Sequence, residues 1–141
     1  MGAWYLSHRR HSAGELEEKL KEDGYGPEET REALEYLLER GYLDDLALAG
    51  AYIRDKSRFH GRGSLLLRME LLKRKVPREL IDRALRESLP REDELENARR
   101  LVARWVSGSR TYSGEQLMKK LASRGYPPDI CREAVTEARN R

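Results

Sequence analysis

Apolar residues recur along the chain at three- and four-residue steps between charged ones, the spacing that lines one face of a helix. In the last third, Leu95, Ala98, Val102, Trp105 and Val106 follow this spacing until Ser107-Gly108-Ser109 interrupts it. Ser113 then predicts an N-cap for a helix burying Leu117 and Leu121, which Gly125 ends. Pro128 suits the first turn of a following helix, where no backbone donor is needed, and Ile130, Cys131, Ala134, Val135 and Ala138 form its stripe. The first third repeats the scheme with Ser12, Leu16, Leu20, Gly24, Pro27, Ala33, Leu34, Leu37 and Leu38. In the middle, Asp44 or Asp45 caps a helix carrying Leu48, Ala49, Tyr52 and Ile53; Gly61-Arg62-Gly63 breaks the chain, and helices follow near 64–75 and 78–89. No segment alternates at period two as a half-buried strand would.

The likeness of the thirds is an internal repeat. A shift of 101 residues superposes Trp4 on Trp105, Ser12 on Ser113, Leu16 on Leu117, Leu20 on Leu121 and Gly24-Tyr25 on Gly125-Tyr126. About half that shift sets Leu67, Leu71, Val76, Ile81 and Ala84 on Leu117, Leu121, Tyr126, Cys131 and Ala134. The expected fold is all-α, an elongated array of three tandem three-helix repeats at 1–41, 42–90 and 91–141. A unit of this size buries too little surface to stand alone, so neighbours are expected to support one another.

Composition narrows the function. The 141 residues are 38% charged and 38% hydrophobic with net charge +3, and no apolar run approaches the roughly 18 residues of a membrane span. The single cysteine, Cys131, has no partner for an internal disulfide, which fits a reducing cytoplasm. The +3 hides a polarity: residues 1–40 carry 6 basic and 10 acidic groups, whereas 41–75 carry 8 and 4. His8, His11 and His60 lack ligand companions at zinc spacing, and no P-loop or nucleophile–base pair is present, so neither a metal, a cofactor nor catalysis is expected.

Gly41-Tyr42-Leu43-Asp44-Asp45, then Ala49-x-x-Tyr52-Ile53, then Gly61-Arg62-Gly63 with Glu70-Leu71 downstream resembles the central motif of the RecX family. Ser12-x-x-Glu15-Leu16-x-x-Lys19-Leu20 and Tyr112-Ser113-x-x-Gln116-Leu117 in the flanking copies are similar to that family too. The chain departs from the family pattern at Leu48, where phenylalanine is usual, and at Lys75, which replaces a common glycine at a helix end. The resemblance implies a non-enzymatic, monomeric protein that binds the RecA recombinase filament on single-stranded DNA. It further implies suppression of ATP hydrolysis, strand exchange and LexA-directed coprotease activity, with weak direct DNA binding in some members. DNA repair, recombination and the SOS response are the settings it implies.

The candidate contact residues follow from charge. Arg54, Arg58, His60, Arg62, Arg68, Lys73, Arg74 and Lys75 form the basic run, with Arg58, His60 and Arg62 expected to lie exposed around a mobile bend. Gly41, Tyr42, Leu43, Asp44, Asp45, Tyr52, Gly61 and Gly63 are the structural part of the motif, with Tyr42, Leu43, Tyr52 and Ile53 expected to pack at the junction between units. His8-Arg9-Arg10-His11 is a further candidate for a polyanion. Trp4 and Trp105, at equivalent repeat positions, are expected in cores. The competing reading is direct DNA binding, each helix–Gly-Tyr–helix acting as a helix-turn-helix. In the first copy Glu28, Glu29, Glu32, Glu35 and Glu39 on the would-be recognition helix argue against it, leaving Arg78, Arg83, Arg86, Arg132 and Arg139 in the others.

Overall fold

The structure, a computed structural model, describes residues 11–140; Trp4, His8, Arg9 and Arg10 lie outside them. Among the described residues there are eight α-helices and no strand. They are α1 (Ala13–Glu22), α2 (Pro27–Glu39), α3 (Asp45–Phe59), α4 (Ser64–Lys73), α5 (Arg78–Ser88), α6 (Arg91–Val106), α7 (Gly114–Ser123) and α8 (Pro128–Arg139). Among the described residues no helix is long and apolar enough to cross a membrane.

Local chemistry sets the helix starts. Ser12 and Glu15 close a capping box on α1, with Glu15 N–H donating to Ser12 Oγ at 3.0 Å and Ser12 N–H to Glu15 Oε1 at 2.9 Å. Ser113 and Gln116 repeat it on α7 at 3.1 and 2.8 Å. Asp44 caps α3 by accepting from Ala47 N–H at 3.0 Å. Pro27 and Pro128 occupy the first turns of α2 and α8.

The ends of α1, α4 and α7 are one turn made three times. Tyr25, Val76 and Tyr126 N–H groups reach back to the Leu20, Leu71 and Leu121 carbonyls at 3.1, 3.2 and 3.2 Å. Each turn needs a left-handed residue before that donor, supplied by Gly24 (φ 94°), Lys75 (φ 63°) and Gly125 (φ 93°). The departure at Lys75 therefore leaves the turn in place, with a lysine holding a conformation that glycine adopts without cost.

Three buried clusters follow the chain. The first holds Leu16, Leu20, Leu37 and Leu43. The second holds Leu48, Ala49, Ile53, Leu67, Leu71, Val76, Ile81, Ala84 and Leu89, with α3 packed along α5. In the third, α6 packs along α8 around Leu95, Ala98, Leu101, Val102, Leu117, Leu121, Tyr126, Ile130, Cys131, Ala134 and Val135, and half-buried Trp105 packs against it.

The clusters are joined by one device used twice. Ala13 N–H at the start of α1 donates to Asp45 Oδ1 of α3 at 2.9 Å, and Ser64 N–H at the start of α4 donates to Glu94 Oε2 of α6 at 2.6 Å. Beside these bonds the same helix starts seat on the next unit's left-handed turn. Ser12 Oγ donates to the Arg74 carbonyl, while Gly63 and Leu65 N–H groups donate to the Arg124 and Gly125 carbonyls at 2.8 and 2.9 Å. A Cβ at Gly63 would lie 2.5 Å from the Gly125 and Tyr126 backbone, so only glycine permits this approach.

Candidate partner-binding groove

The C-terminal half of α3 runs beside α6, and the space between them is a groove. Arg54, Ser57, Arg58, Phe59 and His60 line it from α3 and its end, and Asn97, Arg100 and Arg104 from α6. Arg124, from the turn after α7, closes one end, and Ser88, Leu89, Asp93 and Glu96 form the other. Its two hollows share Ser57, Arg58, Asn97 and Arg100, which makes them one continuous surface.

What distinguishes these arginines is that five of them converge on one surface without carboxylate partners. Arg31, Arg62, Arg68, Arg74, Arg83, Arg91 and Arg99 all form ion pairs with carboxylates. Among the described residues Arg54, Arg58, Arg100, Arg104 and Arg124 form none. Arg54 donates to Ser88 Oγ at 3.2 Å, Arg100 donates to Asn97 Oδ1 at 2.9 Å, and Arg124 sits 5.7 Å from the centre of the Trp105 ring. Asp93 and Glu96 lie at one end only, Glu96 paired with Arg99, so the cations gathered along the rest of the groove repel one another and attract an anion. Phe59, 73% exposed, stands at the rim with the Arg58 guanidinium 6.0 Å from its ring centre. A planar or apolar group could rest on that ring.

The basic run predicted from sequence divides in space. Arg54, Arg58 and His60 line the groove, His60 Nε2 lying 3.9 Å from Asp55 Oδ2. Arg62 does not lie exposed on a mobile bend: its half-buried guanidinium donates to Glu70 Oε2 at 2.7 Å and to the Tyr52 hydroxyl at 3.3 Å. Gly61-Arg62-Gly63 is pinned from both sides, by this clamp and by the Gly63–Arg124 bond. Arg68 pairs with Asp82 at 2.5 Å within the middle unit. Arg74 and Lys75 cross to the first unit, pairing with Glu15 at 3.1 Å and Glu18 at 3.3 Å. Lys73 is exposed on the outer side of α4.

Of the motif residues, Leu43 and Ile53 are buried and Tyr52 is half-buried, whereas Tyr42 is 59% exposed instead of packing at the junction. The turn at Gly41 (φ 73°) bonds Tyr42 N–H to the Leu37 carbonyl at 2.8 Å and sends Leu43 inward in its place. Asp44 and Asp45 divide the capping: Asp44 caps its own helix, and Asp45 turns to α1. Burial raises the carboxyls of Asp45 and Glu94, against the lowering effect of the Ala13 and Ser64 N–H groups they accept from. Burial, and then the charge of Glu94, raise the Tyr126 phenol to about 12.

Sequence reasoning missed Phe59, Asn97, Arg100, Arg104 and Arg124. Arg100 and Arg104 stand four apart and so share a helix face, the one signal available. Glu94 was legible in principle, because a shift of 49 that superposes Ala49 on Ala98 and Ile53 on Val102 also superposes Asp45 on Glu94.

The fold and groove define an all-helical repeat protein whose distinguishing surface is an arginine-lined groove. The family's first three-helix domain, "RecX, first three-helix domain", matches residues 2–37, and "RecX, second three-helix domain" matches residues 44–85. The regulatory protein RecX of Trichlorobacter lovleyi is 37% identical over 136 residues, covering 91% of this chain and 86% of its own. That of Prosthecochloris aestuarii is 32% identical, covering 94% and 87%. The crystal structure of RecX from Lactobacillus salivarius superposes with a TM-score of 0.85 at 19% identity, over 96% of this chain and 90% of that one. The chain belongs to the RecX family, whose curated members are regulatory proteins.

Proposed function

We infer that this chain binds the RecA filament on single-stranded DNA and suppresses its ATP hydrolysis, strand exchange and coprotease activity. The groove between α3 and α6 is the contact. The observation that carries this reading is the convergence of Arg54, Arg58, Arg100, Arg104 and Arg124 without carboxylate partners in a protein that pairs so many others. Such a groove offers guanidinium groups to phosphates or to surface carboxylates of a protein–DNA filament. The units at 1–41, 42–90 and 91–141, each seated on the next, would span neighbouring filament subunits, so that several weak contacts act together.

Single-stranded-DNA-dependent ATP hydrolysis by the cognate RecA is expected to fall as the protein is added. The double variant Arg58→Glu/Arg100→Glu should need at least tenfold more protein for the same effect, with an unchanged thermal midpoint. Arg83→Glu, at an exposed residue paired with Glu87 outside the groove, should behave like the parent. No inhibition at saturating protein overturns the reading.

A second reading, direct binding of single-stranded DNA, draws on Phe59 beside the arginines, since stacking on an aromatic ring within a basic groove is how such strands are held. A salt titration without RecA separates the two: phosphate contacts give a steep loss of affinity with salt. Tight binding of bare DNA, with ATP hydrolysis unaffected, would favour the second.

A further inference from the structure

Helix α4 buries Leu67 and Leu71, yet its opposite side is also apolar. Leu65, Met69 and Leu72 are 49%, 57% and 40% exposed. Spaced at four and three residues, they form one stripe two turns long. The fold itself supplies a control. At the equivalent positions α1 carries Gly14, Glu18 and Lys21, and α7 carries Glu115, Lys119 and Ala122, whereas the inward leucines are the same in all three helices. The apolar stripe is therefore no requirement of the repeat; it belongs to the middle unit alone.

Charge identifies what it fits. Lys73 borders the stripe on one side, exposed and without an ion pair among the described residues, and Arg68 borders the other. The carboxylates nearest along the helix are engaged, Glu70 by Arg62 and Asp82 by Arg68. The stripe begins where Leu65 N–H bonds the Gly125 carbonyl, one residue along the chain from Arg124 of the groove. We propose that the outer face of α4 docks an amphipathic helix of a protein partner, with apolar residues at i, i+4 and i+7 and carboxylates on its flanks. An apolar stripe edged by the unpaired Lys73 on one side and, on the other, by Arg68, whose guanidinium meets Asp82 through Nη1 and has further donors to offer, is complementary to such a helix in both shape and charge.

The test does not depend on RecA. A fluorescent helical peptide with leucines at i, i+4 and i+7 and glutamates on both flanks is titrated with the full chain and followed by anisotropy. Saturable binding is expected, and a peptide with lysine flanks should bind at least tenfold more weakly. Met69→Glu, which copies what α1 carries at the same position, should weaken the glutamate-flanked peptide at least tenfold without changing the melting curve. Val106→Glu, at an exposed apolar residue outside the stripe, should not. The proposal is overturned if no peptide binds, if both peptides bind alike, or if Met69→Glu binds as the parent does. Self-association of the chain in sedimentation that Met69→Glu abolishes would give the stripe to a second copy, and overturns it as well.

Discussion

Glu94 is 5% exposed and accepts a hydrogen bond from Ser64 N–H of another unit, yet burial raises its carboxyl above the ordinary glutamate range. A raised value means that the folded state holds the proton more tightly than the unfolded chain. The stability this residue contributes is therefore fully present below the unfolded value, about 4.3. It declines as pH rises through the raised folded value. Glu94→Gln keeps an oxygen for Ser64 N–H and removes that decline: it should be at least as stable as the parent near neutral pH and show a flatter profile above about pH 4.3. Glu94→Ala leaves the helix start without its acceptor and should lose about 1–3 kcal/mol. Thermal unfolding across the acid range reads both outcomes. Asp45, raised by burial in the same way, acts with the same sign at the other joint.

At the scale of the helix, most of the architecture can be read from local chemistry. The Ser12–Glu15 and Ser113–Gln116 boxes, the prolines at the starts of α2 and α8, and the turns at Gly24 and Gly125 are all encoded within a few residues of where they act. What one helix does to the next unit is not encoded so locally. Gly63 reads as part of a flexible break, because nothing in its neighbours shows that the Gly125 backbone will lie against it. The placement depends on how two units rotate about each other, which periodicity within a unit leaves open. Gly63→Ala would set a methyl carbon 2.5 Å from peptide atoms that cannot step aside. It should cost about 1–3 kcal/mol and speed hydrogen exchange at the Leu65 amide, which bonds across that joint. Gly108→Ala, where the nearest atom is 3.6 Å away, should change stability by no more than about 1 kcal/mol. Equal effects from the two would contradict a close-packed joint.

Across the whole molecule, charge along the sequence and charge in space are different maps. The basic run of residues 54–75 looks like one patch, yet Arg62, Arg68, Arg74 and Lys75 are spent on holding the middle unit together and tying it to the first. The arginines that converge on the groove come instead from three separate stretches, at 54–58, 100–104 and 124. The family and the all-helical repeat were legible because they rest on spacing and short motifs. The groove was not, because it is made by α3 and α6 coming side by side. Charge reversal inside the groove and outside it therefore separates the two maps: inhibition of ATP hydrolysis should follow Arg58 and Arg100 rather than Arg68 or Arg74.

The caps given across the joints also make dependence run in one direction. The N–H group opening α1 relies on Asp45, and the one opening α4 relies on Glu94, so each unit borrows from the one after it. A fragment of residues 42–141 keeps the Glu94 cap and releases Asp45 into water, relieving a burial cost. A fragment of residues 1–90 keeps α4 but strips it of Glu94 and of the Arg124 and Gly125 carbonyls. The array should thus tolerate shortening from its front far better than from its back, with 42–141 retaining a cooperative melt and 1–90 fraying at α4. A chain built this way has a grain, and it can be cut cleanly from only one end.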